Sequence, residues 1–188
     1  MEILPATAER WPDLEALFGQ GGHGGCWCMF WRLKRKRFNE LGTAGRKAAL
    51  RDLTCEGPVP GLLAYAGGRC VGWCCVGPRE GFSALENSRI LKRVDDQPVW
   101  SIVCFVVARG SRRQGVLRAL LQGALCYAQE QGARIVEGYP LDMQTPKLSG
   151  QNLTGYSGFM GIASAYRDAG FVEVGRASET QLIMRKAL

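Results

Sequence analysis

From Val99 to Ala108 the chain reads VWSIVCFVVA, a run in which β-branched and aromatic residues dominate and Ser101 is the one hydroxyl. A strand apolar at both alternating sets of positions must be covered on both faces, so it belongs in the middle of a sheet. RGSRRQGV follows at once. Val116, Leu117, Leu120, Leu121, Ala124, Leu125 and Ala128 then recur at helical spacing up to Gly132, which predicts a helix of about four turns. Buried strand, Gly- and Arg-rich loop, then amphipathic helix is a layout that offers free backbone N–H groups and a positive helix end to a phosphate. Arg109, Arg112, Arg113 and Arg118 add cationic side chains, and Gly115 lets a ligand approach the backbone. The combination points to a polyphosphate. Neither a G-x-x-x-x-G-K-[ST] loop nor a G-x-G-x-x-G after this strand is present, which lowers ATP and NAD as partners. The plainer reading of the same stretch is a helix start with scattered surface arginines.

Shorter elements surround this segment. Glu2 to Pro5 reads as a strand, and Thr7 offers an N-cap to a helix carrying Trp11, Leu14, Leu17 and Phe18 on one side. Gly19 to Gly25 ends it. CWCMFWRLKRKRF then crowds aromatics ahead of Arg32, Lys34, Arg35, Lys36 and Arg37, and a helical segment follows around Lys47 to Leu53. Leu62 to Tyr65 and Cys70 to Val76 flank Ala66-Gly67-Gly68-Arg69, a hairpin whose glycine pair supplies positive φ. Gly81 to Asp96 reads as a loop with room for one helical turn. Ala133 to Tyr139 is strand-like, and a polar, Gly-rich connection runs from Pro140 through Gly158. A helix to Ala169, a stop at Gly170 and strands Phe171 to Val174 and Gln181 to Arg185 close the chain. No repeat or linker divides it, so a single domain over residues 1–188 is expected, an α/β fold with a mixed α+β layer around a central sheet.

Composition narrows the class. Twenty-four Lys and Arg against seventeen Asp and Glu leave a net charge of +7, which favours an anionic partner such as a phosphate or nucleic acid. No apolar run reaches the roughly 18 residues of a membrane span, and MEILPATAER lacks the pattern of a signal peptide, so no membrane contact and a cytoplasmic protein are expected. The eight cysteines are unevenly spaced and read as reduced thiols; Cys70, Cys74, Cys75, Cys104 and Cys126 read as core filling.

The loop residues Arg112-Arg113-Gln114-Gly115-Val116-Leu117 resemble the acetyl-CoA loop of the GNAT acyltransferase superfamily, [QR]-x-x-G-x-[GA], with Leu117 in place of the usual Gly or Ala. Ala165-Tyr166-Arg167-Asp168-Ala169-Gly170-Phe171 is similar to the family's Y-x-x-x-G-F ending, and the element order is similar over nearly the whole chain. The resemblance implies a central, mostly antiparallel sheet splayed between its fourth and fifth strands and flanked by helices. It implies that backbone groups of Phe105, Val106 and Val107 pair with the pantetheine arm of acetyl-CoA as a further strand would. Arg112, Arg113, Gln114, Gly115 and Val116 are then expected to hold the pyrophosphate, with Leu117 and Arg118 completing the loop.

Acetyl transfer needs a deprotonated amine near the thioester carbonyl and a proton for the departing thiolate. The resemblance places the family's proton-donating tyrosine at Tyr166. The strand position where some members carry a Glu base falls near Ser101, so water or a preformed neutral amine is expected to serve there. Glu137, with Asp142 as competitor, is the candidate base, against the plainer reading of a salt-bridged strand-end carboxylate. Trp27, Phe30, Trp31 and Tyr139 are candidate walls of an acceptor pocket, against the reading of core packing. His23, Cys26 and Cys28 have spacing too tight for one tetrahedral ion, so no metal is expected. These readings give an N-acetyltransferase acting by direct attack in a ternary complex on a small-molecule or peptide amine, as a monomer or homodimer. The alternatives are a basic nucleic-acid-binding protein, a tRNA-directed acetyltransferase, or a catalytically silent CoA-binding sensor.

Overall fold

The apolar run becomes the middle strand of a seven-stranded sheet in a computed structural model that describes residues 1–19, 25–151 and 158–188. The strands are β1 (Glu2–Pro5), β2 (Gly61–Ala66), β3 (Arg69–Pro78), β4 (Trp100–Val107), β5 (Ile135–Gly138), β6 (Val172–Arg176) and β7 (Leu182–Ala187), in the order β1-β2-β3-β4-β5-β7-β6. Every neighbouring pair is antiparallel except β4 and β5. The helices are α1 (Trp11–Gly19), α2 (Arg35–Glu56), the single turn α3 (Ser83–Glu86), α4 (Val116–Glu130) and α5 (Ala163–Asp168). None of the described helices is long and apolar enough to cross a membrane.

Two apolar layers cover the sheet. Leu14, Leu17 and Phe18 of α1 and Leu50 of α2 pack with Trp73, Val103 and Val106 on one face. Leu120, Leu121, Ala124 and Leu125 of α4 pack with Leu62, Cys74, Ile102 and Phe105 on the other, with Tyr166 of α5 in the same layer. The double-sided burial read from β4 is therefore real, and its cause is a helix layer on each side. In the β2–β3 hairpin Gly67 and Gly68 take φ of 55° and 73°, as the tight turn requires.

α2 departs most from the sequence reading. Helix was expected only around Lys47 to Leu53, but it begins at Arg35 and is broken at Gly42, with φ 58° and ψ −173°. Its first half buries Phe38 alone, so no apolar stripe announced it. Thr7 precedes a 3-10 turn at Ala8–Arg10 and makes no side-chain cap bond. The glycine-rich break before Gly25 and part of the connection up to Gly158 lie outside the described residues, and so does His23.

Register shows how the sheet opens. β4 and β5 are paired at Trp100↔Val136, Ser101↔Glu137 and Ile102↔Gly138. On the other side of β4, the pairing steps from Cys75↔Cys104 to Val76↔Ile102, which leaves Val103 as an extra residue. A bulge bends its strand. β4 thus turns away from β5 directly after their last paired residues and continues to Val107 paired with β3 alone.

Gly138 lets a ring lie in that opening: a Cβ there would stand 2.2 Å from Cε1 of Tyr166. Gly138→Ala is expected to lower unfolding stability by about 1–3 kcal/mol through overpacking, measured by chemical denaturation. An unperturbed midpoint would mean that the Tyr166 ring moves freely.

Candidate functional site

The loop after β4 carries an unusual backbone. Arg109–Ser111 form a 3-10 turn, Arg112 is extended, and Arg113 and Gly115 take φ of 60° and 80°. Non-glycine residues enter the left-handed region rarely, so Arg113 marks local strain. Gly115 is the N-cap of α4, and a Cβ on it would meet open space. Its glycine is therefore required by φ rather than by crowding. The amide of Ala119 bonds to the Gly115 carbonyl at 3.0 Å, so the amides of Val116, Leu117 and Arg118 precede that first helical bond. Gly115 has no side chain with which to cap them.

Arg109, Arg112, Arg113, Gln114 and Gly115 are exposed, whereas Val116 is buried against the sheet. Gln114 folds back to donate from Nε2 to the Gly110 carbonyl at 2.9 Å. Arg118 is committed to Asp168, Nη2 to Oδ2 at 2.6 Å, which ties α4 to α5. Arg109, Arg112 and Arg113 are exposed in the loop that leads into the N-terminus of α4. That set fits a pyrophosphate in charge and in backbone donors.

The edge of β4 facing the opening is partly used by the chain itself. The Phe105 amide donates to the Phe159 carbonyl at 2.6 Å, and the Val107 carbonyl accepts a long bond from Arg112 Nε at 3.5 Å. Val106 turns its side chain to the α1 layer, while Phe105 packs in the α4 layer with Val107 beside it. Gly161 lies against the continuation of β5, where the Leu141 amide donates to the Gly161 carbonyl and the Ala163 amide to the Leu141 carbonyl. Phe159 to Ile162 therefore runs between the two splayed strands.

Tyr166 is fully buried beneath that segment. Its ring packs edge-on to Phe171 and Phe105, with centroids 4.8 Å and 6.4 Å away, and its hydroxyl donates to the Met160 carbonyl at 3.2 Å. Burial pushes its hydroxyl well above the ordinary tyrosine pKa, which keeps it protonated. Two consecutive carbonyls, Phe159 and Met160, thus hold the Phe105 amide and the Tyr166 hydroxyl.

Glu137 stands in a closed ion network. Its Oε1 accepts from Arg79 Nη1 at 2.7 Å and from the Tyr139 hydroxyl at 2.6 Å, and its Oε2 accepts from Arg185 Nε at 2.7 Å. Arg79, itself buried, also donates to Glu86, the Leu91 carbonyl and the Tyr139 oxygen. Ser101 Oγ lies 2.9 Å from the Tyr139 oxygen; because Tyr139 gives its proton to Glu137, Ser101 is the donor. The carboxylate has no solvent exposure, and both oxygens are taken. Its partners Arg79 and Arg185 were not singled out in the sequence. Arg185 offered one signal, a charge set among Leu182, Ile183 and Met184. Asp142, the competing candidate, is buried and faces Arg167 and Arg176 at 3.7 Å and 3.5 Å.

Trp27 and Tyr139 are core. The Trp27 ring stacks on Phe18 and Trp11 at 5.2 Å and 6.2 Å, and burial raises the Tyr139 pKa. Phe30 is 36% exposed and sits edge-on to Trp31 and Phe38 at 4.9 Å and 5.6 Å. Trp31 Nε1 is buried without a hydrogen-bond partner among the described residues. The basic cluster is divided: Arg32 turns inward to the Pro60 carbonyl and the face of Phe82, Arg35 covers Phe30, and Arg37 pairs with Glu40. Among the described residues no group of three or more His, Cys, Asp or Glu is arranged to hold a metal ion.

The model of the Acetyltransferase (GNAT) family matches residues 27–139. Solved structures share the fold over nearly the whole chain. A ribosomal-protein-alanine N-acetyltransferase from Brucella melitensis is 19% identical with a TM-score of 0.55, covering 100% of both chains. The PaiA N-acetyltransferase from Thermoplasma acidophilum, in complex with coenzyme A, is 14% identical with a TM-score of 0.54, covering 100% of this chain and 98% of its own. No curated protein matches.

Removing one member of a buried ion network strands its partners. Glu137→Gln is expected to cost about 3–5 kcal/mol of stability by that mechanism, measured by urea unfolding. Unchanged stability with lost turnover would instead mark Glu137 as a base.

Proposed function

Because the chain belongs to the Acetyltransferase (GNAT) family and is an acyltransferase, we propose that it transfers an acetyl group from acetyl-CoA to a primary amine of a small-molecule or peptide acceptor, by direct attack in a ternary complex. The observation that carries this reading is the exposed, uncapped N-terminus of α4, entered through left-handed Gly115 at the end of a strand that has left its neighbour. Membership of the family supports a CoA-based acyl donor. Bound there, the donor supplies the acyl group as a thioester. Arg112, Arg113 and the amides from Gly115 to Arg118 take its pyrophosphate. Val107 and Phe105 offer backbone groups to its arm in the manner of sheet pairing.

The Phe105 amide can do so only by exchanging one carbonyl partner for another, because Phe159 holds it. The same exchange releases the Tyr166 hydroxyl from Met160. Freed, that hydroxyl is placed to donate a proton to the departing thiolate, having been kept protonated by its burial in the closed cleft. Glu137 has no part in proton removal in this reading; its bonds to Arg79 and Arg185 fix the end of β5. The acceptor amine enters neutral or loses its proton to water. Phe30 and Trp31 are the aromatic residues that can wall its approach, since Trp27 and Tyr139 are enclosed.

Two measurements test the reading. Arg112→Ala combined with Gly115→Trp is expected to abolish the rise in Tm that acetyl-CoA produces; persisting protection places the donor elsewhere. Tyr166→Phe is expected to lower kcat about 10²-fold or more in a released-thiol assay with an amine library, with little change in acetyl-CoA affinity. An unchanged kcat removes Tyr166 from the chemistry.

A further inference from the structure

Four of the eight cysteines converge on the face of the sheet opposite α4. Cys75 and Cys104 are cross-strand partners on β3 and β4, and both are buried in the α1 layer. Cys28 is buried in the same layer, where its sulfur accepts a hydrogen bond from Trp73 Nε1 at 3.1 Å. Burial raises the Cys28 thiol, and Cys75, Cys104 and Cys26, of the same packed cluster, are close enough to raise it further. Arg32 Nη2 points at the Cys75 sulfur from 3.7 Å.

The backbone is bent to achieve this. Trp27 and Cys28 take φ of 46° and 50°, consecutive non-glycine residues in the left-handed region, where such residues are rare. A turn of this kind shortens the span between Cys26 and Cys28. Even fully extended, two residues span about 7 Å, and the Cα separation of disulfides runs up to about 6.8 Å. Cys26 differs from the other three in being partly exposed. Arg46 stands beside it, with Nη1 on the Gly25 carbonyl at 3.1 Å.

We propose that Cys26 and Cys28 form a peroxide-reactive dithiol, Cys26 being the nucleophile and Cys28 the resolving thiol. The Cys26 thiolate attacks one oxygen of hydrogen peroxide; the O–O bond breaks, hydroxide leaves and takes up a proton, and Cys26 becomes a sulfenic acid. The Cys28 sulfur then attacks the Cys26 sulfur, the S–O bond breaks, and water leaves with the Cys28 proton. Two thiols lose two electrons and two protons, and the peroxide is reduced to two waters. The contrast between the two thiols suits these roles. The Cys28 hydrogen bond and, in part, Arg46 lower Cys26 to about 7, whereas desolvation raises Cys28. The partner with the larger thiolate fraction is therefore the one that solvent reaches.

None of this draws on acyl transfer, so it stands or falls separately. The test uses the full chain with the exposed Cys55 and Cys126 replaced by serine. Cleavage after Arg10 and Arg32 releases one peptide that contains Cys26 and Cys28 and no other cysteine. After brief exposure to hydrogen peroxide and then an alkylating agent, that peptide is expected lighter by two hydrogens and unalkylated. Dithiothreitol should restore both alkylations, and Cys28→Ser should leave Cys26 as a sulfenic acid that dimedone traps. Alkylation of both thiols after peroxide overturns the proposal. So does a bond from either to Cys75 or Cys104, and so does a stoichiometric zinc ion that shields the thiols until chelated. The wild-type peptide decides the matter even where a variant fails to fold.

Discussion

A carboxylate held between two guanidinium groups at the middle of the sheet fixes the geometry on which the opening depends. Desolvating Glu137, Arg79 and Arg185 together is costly, and such a cluster persists only when each charge finds partners. Here each does: Arg79 donates to two carboxylates, a hydroxyl and a carbonyl, and Arg185 bridges Glu137 to Asp95. The network joins the turn after β3 to β4, β5 and β7 at the registers Ser101↔Glu137 and Glu137↔Arg185. β4 and β5 are thereby locked where they still pair, and the bulge at Val103 releases them one residue later. Locking and release must adjoin for the cleft to have a fixed mouth.

Much of this architecture was legible because it follows from local pattern. A strand apolar on both faces, a glycine pair between two short strands and a leucine-rich helical stripe each leave a periodic signal, and β4, the β2–β3 hairpin and α4 formed where those signals stood. The loop at Arg112 to Val116 was legible for a different reason: exposed arginines and a left-handed glycine serve no purpose in core packing. The ion network was not, since its members are spread from Arg79 to Arg185 and meet only through sheet register. Glu137 looked like a carboxylate at a strand end, and nothing near it in sequence indicated two arginines. The first half of α2 was equally hidden, because a helix held by Phe38, the Arg46 contacts to the Phe38 carbonyl and ring, and solvent carries no stripe.

The two faces of β4 divide the chemistry. One side packs Ile102 and Phe105 against the leucines of α4. The other carries soft, polarizable groups: four thiols under Trp73 and Trp27, with Phe30 and Trp31 farther along the same segment. Because side chains alternate along a strand, Phe105 and Val106 point into these separate environments although adjacent in sequence.

The two donor groups that matter most at the cleft share one restraint. Phe159 and Met160 offer successive carbonyls, one to the Phe105 amide on β4 and the other to the Tyr166 hydroxyl on α5. Buried donors left without partners cost about 1–3 kcal/mol each, so withdrawing the segment in an empty cleft is opposed twice. In the proposed transfer, a carbonyl brought to Phe105 offsets the first cost on binding, whereas the thiolate offsets the second only once the acyl group has left.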